Sequence, residues 1–388
     1  MLAERTVRTP RSDERSASFA GWTVPASLDA DCELLLRSVR AVVTGVRDPQ
    51  AAGLADGATS RWARIATDNK LGVLALQGLG PDAGRLPGEA RELLELSRAQ
   101  TIRRNTAGLL TLRRVLPLFE QAGVPALAFK GPVSQLATYG SYFSKPATDV
   151  DLLVSASDFE RAQAVLVRDG YELPPVCDTP WWRRFLGEQP LLHADPSLAP
   201  IDLHHKLQQP GCPSPRRLHR FLAEREMLPV AGTPTPTLSP RHAALHACMS
   251  LAKGLVNRDP SGGHAADIAA RLRTCGPAAL ASLLAEAREQ KLENTLALGL
   301  QAARALFGVA VDARVADAPL GLDGAELARA VLVPTDPAAV WPRRRELLRG
   351  SCDDYPSFVG ELALTVASEL CRRAYEPRAS TADVEAVR

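Results

Sequence analysis

Two aspartates interrupt the otherwise apolar segment TDVDLLVS, residues 148–155, and that interruption constrains the fold more than any other feature of the chain. The segment has the length and composition of a buried strand. Side chains two apart on a strand share a face, so Asp149 and Asp151 point one way and Val150 and Leu152 the other. Two carboxylates roughly 7 Å apart along a strand are costly to bury as bare like charges, so a cation has to meet them. A third acid interrupts PIDLHHKL, residues 200–207. There the alternation puts Asp202, His204 and Lys206 on one face and Ile201, Leu203, His205 and Leu207 on the other. Three carboxylates from two strands suit Mg²⁺ (or Mn²⁺), which completes its shell with water and phosphate oxygens. Such a pair of ions lowers the pKa of an attacking hydroxyl and neutralises a triphosphate leaving group.

The segments around these acids place them in a small mixed sheet. VPALAF, residues 124–129, follows a Gly turn and reads as a buried strand, and Gly131–Tyr139 reads as a short helix. A helix is expected from Asp158 to Arg168, stopped by Asp169-Gly170, with a short strand at Tyr171–Leu173. QPLLHA and PIDLHHKL flank a turn at Asp195-Pro196 and predict a hairpin. Upstream, from Leu28 to about Gln121, the apolar spacing is helical, with breaks at Asp48-Pro49 and Gly78–Pro87. In its last helix, Glu89–Gln121, the residues Leu109, Leu110, Leu112, Val115, Leu116 and Leu118 predict one buried stripe. Pro117 is expected to kink that helix and Gly123 to stop it.

The expected fold class is α+β, a small mixed sheet with helices, flanked by N- and C-terminal helical regions. The chain then divides into a disordered N-terminus (1–27), a helical region (28–121), the catalytic core (122–209), a Pro-rich connection (210–240), a helical C-terminal region (241–375) and a disordered tail (376–388).

Composition narrows the partners. With 46 basic against 44 acidic side chains and a net charge of +2, nothing pulls the chain generally towards nucleic acid or an anionic membrane, so a long polynucleotide substrate is not implied. No run of about eighteen apolar residues is present, which argues against a membrane partner. The N-terminus is charged throughout and lacks the apolar stretch of a secretory signal. Seven scattered cysteines, none in a Cys-x-x-Cys pair, fit reduced thiols in a cytoplasmic protein.

The order of strand, Gly turn, short helix, Asp-x-Asp strand and a later strand carrying one Asp resembles the DNA polymerase β-like nucleotidyltransferase superfamily. More narrowly, LAFKG, DVDLLV, the helix ending in DGY, and IDLHH are similar to an uncharacterised bacterial nucleotidyltransferase family often found beside natural-product and peptide-modification genes. The similarity is densest over residues 97–270. It implies a polymerase-β-like core and an NTP donor whose α-phosphate is attacked by an acceptor (a small molecule, peptide or protein), with pyrophosphate leaving. By the same resemblance Asp149 and Asp151 are ligands of both metals, and Asp202 holds the metal that activates the acceptor. The wider superfamily has Gly-Ser after the first strand, where this chain has Lys130-Gly131-Pro132 and then Ser134. Lys130, Gly131 and Ser134 are therefore the expected phosphate contacts, and Gly131 allows close backbone approach at a helix start. Lys145 stands four residues before the first acid, where the narrower family commonly has Arg, and gives a point charge instead of a fork. His204 is expected beside Asp202 in the same site.

Other signals are weaker. His242 and His246 are spaced to share a metal, but no third ligand is near in sequence, and packing is the better reading. Trp181-Trp182-Arg183-Arg184 either stacks a ligand or anchors a loop. Arg103 and Arg104 read as a solvated helix face. Asp267 sits where the narrower family tends to carry an Asp; apart from the resemblance it reads as a surface pair with Arg271. Three alternative functions remain in view. A glycosyltransferase also uses Asp-x-Asp, but needs a long nucleotide-sugar fold where this chain is helical. A nucleotide-binding or regulatory protein without turnover would explain the missing Gly-Ser. A toxin-type nucleotidyltransferase acting on tRNA is the third.

Overall fold

The computed structural model describes residues 28–46, 53–310, 320–337, 339 and 341–375. The expected tails, 1–27 and 376–388, and the break at Asp48-Pro49 lie outside them. Helix α1 (Ala30–Thr44) begins where the Asp29 carboxylate accepts the Cys32 N–H at 2.9 Å. Its buried face carries Leu35, Leu36, Val39 and Val43, the three- and four-residue spacing of an amphipathic helix. Helices α2 (Ser60–Asp68) and α3 (Gly72–Leu79) follow. α3 crosses α1 so closely that a Cβ on Gly78 would lie 1.6 Å from the Ser38 carbonyl oxygen.

Helix α4 (Gly88–Gln121) is about 51 Å long at 1.5 Å per residue and joins two cores. Ala90 and Leu94 lie in a helical core, whereas Leu112, Val115 and Phe119 lie in the core under the sheet. The expected stripe is thus partly wrong. Phe119 belongs to it and Leu110 is exposed, because only the three- and four-residue steps from Leu112 keep one face towards the sheet. The helix continues through Pro117, which lies on its exposed side. Gly123, at φ 62°, then lets the Val124 N–H reach back to the Phe119 carbonyl at 2.9 Å.

Five strands form the mixed sheet: β1 (Ala126–Ala128), β2 (Val150–Val154), β3 (Tyr171–Glu172), β4 (Glu188–His193) and β5 (Ile201–His204), in the order β1-β2-β5-β4-β3. Only β2 and β5 are parallel; the other three pairings are antiparallel. The predicted hairpin is the β4–β5 pair. Helices α5 (Gly131–Tyr139) and α6 (Phe159–Arg168) connect the strands as expected. Strand alternation divides the sheet's two faces cleanly. Ala128, Val150, Leu152, Val154, Ile201 and Leu203 pack into the core shared with α4 and α6. Leu127, Phe129 and Leu153 enter the helical core on the opposite face, and Asp149 and Asp151 share the parity of Leu153.

The Pro-rich stretch 210–240 is more than a connection. It forms helix α7 (His219–Ala223) and a hairpin of β6 (Glu226–Val230) and β7 (Thr233–Thr237). Ala231 and Gly232 turn the hairpin at φ 46° and 83°, as a primed two-residue turn requires. Pro229 faces Pro234 and Met227 faces Pro236, positions alternating with the bonded pair beside the turn, so the missing N–H groups cost no ladder bond.

The remaining helices are α8 (Pro240–Asn257), α9 (Gly262–Arg273), α10 (Pro277–Gln290), α11 (Glu293–Phe307), α12 (Gly324–Leu332), α13 (Arg344–Ser351) and α14 (Tyr355–Tyr375). Helical regions far apart in sequence share one hydrophobic core: Leu35, Val39 and Leu74 belong to the same cluster as Leu245, Leu251, Ile268 and Leu300. All seven cysteines are free thiols. No helix among the described residues is long and apolar enough to cross a membrane.

Candidate active site

The parallel register places Asp151 directly opposite Asp202 on the neighbouring strand. Asp149 precedes β2 on the same face, and all three acids line one cavity of about 340 Å³ between the sheet and the helical core. Lys130, Gly131, Ser134 and Lys145 line it too. Seven of the eight residues singled out from the sequence therefore meet in one place. The eighth, His204, is buried beneath Asp151.

His204 is bonded differently from expectation. Its Nε2 lies 3.0 Å from Asp151 Oδ1 and its Nδ1 3.4 Å from Glu188 Oε2 on β4, so it braces Asp151 and not Asp202. The reason is lateral. Residues along one strand are held apart by the rise of the chain, whereas a side chain can lean diagonally onto the next strand. Ligand atoms of Asp151, Asp202 and His204 all lie within 4.8 Å of one another. Lys206 leaves the site face altogether, as its ammonium donates to the Arg184 carbonyl beyond the strand end.

Electrostatics separate the acids. Burial, and then the charge of Asp149, push the Asp202 carboxyl up to about 7. Burial and the charge of Asp151 also raise Asp149, whose carboxylate accepts a 2.8 Å bond from the Thr148 hydroxyl. Asp151 moves the other way. Burial would raise it, but the ion pair with Lys130 and the His204 hydrogen bond outweigh that and hold it well below the usual carboxylate range. Lys130 is raised in turn, since the charge and hydrogen bond of Asp151 outweigh its burial. Two carboxyl groups raised by burial and by neighbouring negative charge are a donor set that a cation would relieve, and their oxygens suit a hard divalent ion.

The loop carrying Lys145 and Asp149 is fixed from two helices. Asn105 of α4 donates to the carbonyls of Tyr142 and Lys145 at 2.6 and 2.9 Å and accepts the Ala147 N–H at 3.0 Å. Gln135 of α5 exchanges bonds with Lys145 N and O at 2.9 and 2.8 Å. Both amides are buried, so their bonding to the loop backbone is obligatory. Neither was legible in the sequence, because an isolated Asn or Gln in a helix carries no spacing signal. Gly131 opens α5 at φ 60°, a left-handed backbone that favours glycine, although a Cβ there would meet Ala147 and the Asp149 carbonyl only at ordinary contact distances. α5 has no side-chain cap, so its first N–H groups remain for a ligand.

Lys145 is turned away from the acids of the sheet. It donates to the Gly263 carbonyl at 3.0 Å and pairs with Asp267, which also accepts the Tyr139 hydroxyl at 2.7 Å. Burial lowers the Lys145 pKa more than Asp267 restores it. Asp267 is thus part of the cavity wall, and the surface-pair reading with Arg271 fails because α9 lies against the sheet domain. Arg271 instead donates to the Ser134 hydroxyl at 2.9 Å. The helices add cavity residues that sequence reasoning did not single out: Lys70, Lys253, His264 and Arg271. They belong to segments far from the acidic strands, so only the tertiary fold brings them in.

The lesser candidates sort themselves. His246 packs edge-on against Phe129, with ring centroids 5.1 Å apart, while His242 stacks on Phe221 and meets Glu286 at 3.1 Å, so the two share no ion. Glu224, His242 and Glu286 lie close enough to hold a metal, but Arg220 and Arg241 already pair with both glutamates. Two arginines against two carboxylates leave no charge for an ion to satisfy. Trp181 donates to Ser368 of α14 at 3.0 Å and anchors a π-helical turn, Trp181–Leu186, outside the cavity. Arg103 and Arg104 are exposed.

Comparison with known proteins agrees with this geometry. No curated protein matches the chain. The sequence model of a family described as "Uncharacterised nucleotidyltransferase" matches residues 58–308, more than half of the 388. That span begins before α2 and ends after α11, so it takes in the helical wall as well as the sheet. The chain belongs to this family of nucleotidyltransferases, with the mixed α+β fold and small sheet that its sequence predicts.

Proposed function

We propose that the protein is a metal-dependent nucleotidyltransferase that moves an NMP unit from an NTP to an acceptor and releases pyrophosphate. The observation that carries this reading is the register of Asp151 against Asp202 across parallel strands, with Asp149 on the same face of the same cavity. Mg²⁺ (or Mn²⁺) would be held by Asp149, Asp151 and Asp202, whose raised carboxyls at positions 149 and 202 call for a cation. Bound there, the ions supply charge neutralisation at the triphosphate and acidify the acceptor group. Asp202 would stand beside the metal that activates the acceptor and help to take the acceptor proton. His204 and Glu188 keep the Asp151 carboxylate oriented. At the start of α5, Gly131 and Ser134 line the cavity, and their backbone N–H groups suit phosphate oxygens. Lys145 acts here through Asp267 and Gly263, holding the loop that presents Asp149.

The acceptor is a small molecule, peptide or protein bearing a hydroxyl, amine or phosphate, in keeping with the resemblance to a family often found beside natural-product and peptide-modification genes. A nucleotide-binding protein without turnover is the second reading, favoured by Lys130 occupying Asp151 in the protein by itself. Thermal melts against ATP, GTP, CTP and UTP, each with and without Mg²⁺, test the proposal. One NTP should raise the midpoint only with metal, and Asp149→Ala/Asp151→Ala should abolish the effect. Absence of a metal-dependent shift with every NTP would remove the reading.

A further inference from the structure

The two cations expected from the sequence to meet phosphate are already engaged: Lys130 pairs with Asp151 and Lys145 with Asp267. Beyond the metal ions at the carboxylates, a triphosphate entering the cavity would therefore draw on other positive charge. Three cations on the opposite, helical wall supply it: Lys70 at the end of α2, Lys253 on α8 and Arg271 on α9. Neither Lys70 nor Lys253 has an ion-pair or hydrogen-bonding side-chain partner among the described residues. Arg271 donates to Ser134 through one Nη, while its buried Nε is unsatisfied. Asp259 lines the same wall and pairs with none of the three.

Lys70 is also placed with care. It takes a left-handed backbone, φ 58°, at the position after a helix end that glycine usually fills. Arg258 and Lys291 do the same elsewhere, but each has a side-chain partner: Arg258 lies over Trp341 and Lys291 meets Asp354 at 3.2 Å. Lys70 has none, and it faces the cavity. Its turn is pinned by the buried Asn69, which donates to the carbonyls of Ile65 and Leu332 at 2.9 and 2.8 Å and accepts the Gly262 N–H at 2.8 Å. Gly263 lets this turn approach α9, since a Cβ there would lie 2.7 Å from the Asn69 carbonyl. The result is a fixed backbone turn that carries the Lys70 side chain to the lining of the cavity that the three acids also line.

We infer that Lys70, Lys253 and Arg271 form the subsite for the β- and γ-phosphates of the donor, so that the helices, and not the turn after β1, supply the charge that grips the leaving pyrophosphate. The assignment rests on the nucleotidyltransferase reading and extends it to residues outside the sheet. The α-phosphate stays at the carboxylates, where the acceptor's nucleophilic atom bonds to the α-phosphorus and gives its proton to Asp202 while the bond between the α-phosphorus and the bridging oxygen to the β-phosphate breaks. The electron pair and charge then leave on pyrophosphate, towards the cationic wall.

Calorimetric titration in Mg²⁺ with inorganic tripolyphosphate, with the NTP that binds best, and with the matching NMP tests the subsite. Lys70→Gln and Lys253→Gln should each weaken tripolyphosphate and NTP by roughly tenfold or more, with little change for NMP. Lys291→Gln, which removes the same charge away from the cavity, should leave all three affinities unchanged, and the melting midpoints of the two cavity variants should stay near wild type. Wild-type affinity for tripolyphosphate and NTP in both cavity variants would overturn the assignment while leaving the enzyme reading intact. Equal loss for NMP would also overturn it, because the lysines would then hold another part of the nucleotide. A wild-type protein that binds neither NTP nor tripolyphosphate would take both readings down together.

Discussion

Replacing Asp202 by Asn should stabilise the metal-free protein above neutral pH and do little in acid. Burial and the charge of Asp149 raise the Asp202 carboxyl from 3.8 to about 7. A group whose pKa is higher folded than unfolded favours folding when protonated, so its stabilising effect is present below 3.8 and is lost as pH rises to about 7. At about 1.36 kcal/mol per pKa unit the full loss is about 4 kcal/mol, of which about 3 develops between pH 5 and pH 8. That is an upper bound, since the carboxylate opens onto the cavity. Asn cannot ionise, so Asp202→Asn escapes the loss. Urea denaturation in EDTA at pH 5 and pH 8 measures it: the variant should gain at least 1 kcal/mol over wild type on going to the higher pH. Adding Mg²⁺ should then raise the wild-type midpoint at pH 8 and leave the variant nearly unmoved. A variant equally less stable than wild type at both pH values would refute the argument, for it would mean that Asp202 is held by hydrogen bonds and not strained by like charge.

Gly78→Ala should cost about 3 kcal/mol or more despite alanine's better helix propensity, because the new Cβ would fall 1.6 Å from the Ser38 carbonyl oxygen, and backbone cannot yield as a side chain can. An unchanged urea midpoint would show that α1 and α3 do not cross as closely as described. Glu286→Gln should cost about 2 kcal/mol, since it removes the buried carboxylate that meets His242, Arg220 and Arg241 together. Its melting midpoint should be as indifferent to EDTA or Zn²⁺ as that of the wild type at this cluster, and a metal-dependent midpoint specific to wild type would show that the arginines do not fill the ion's role.

Much of the central fold was legible in the chain. TDVDLLVS announces both a buried strand and the face its acids take, because a period of two leaves no other arrangement once Val150, Leu152 and Val154 go inward. The helix after Gly131, the β4–β5 hairpin and the stop at Gly123 follow equally from local chemistry. The Pro-rich stretch was misread because proline argues against a strand unless it sits where no ladder bond is needed, and that depends on the register of its partner. The stripe on α4 was misread because Leu110 satisfies the helical period as well as Phe119 does, and only the sheet beneath decides between them.

For the site the division is sharper. Sequence by itself determined that Asp149 and Asp151 share a face and that Asp202 points away from Ile201 and Leu203, since strand alternation is a local property of the backbone. The register of β2 on β5 brought Asp202 to the other two. Tertiary structure decided what each acid meets. The diagonal reach between strands gave His204 to Asp151. The packing of α9 on the sheet side gave Lys145 to Asp267. The shared core of helices far apart in the chain brought Lys70, Lys253 and Arg271 to the opposite wall. Those pairings depend on contacts between segments as far as 263 residues apart, such as Asn69 with Leu332, and no periodicity in the sequence encodes which distant charge will face which.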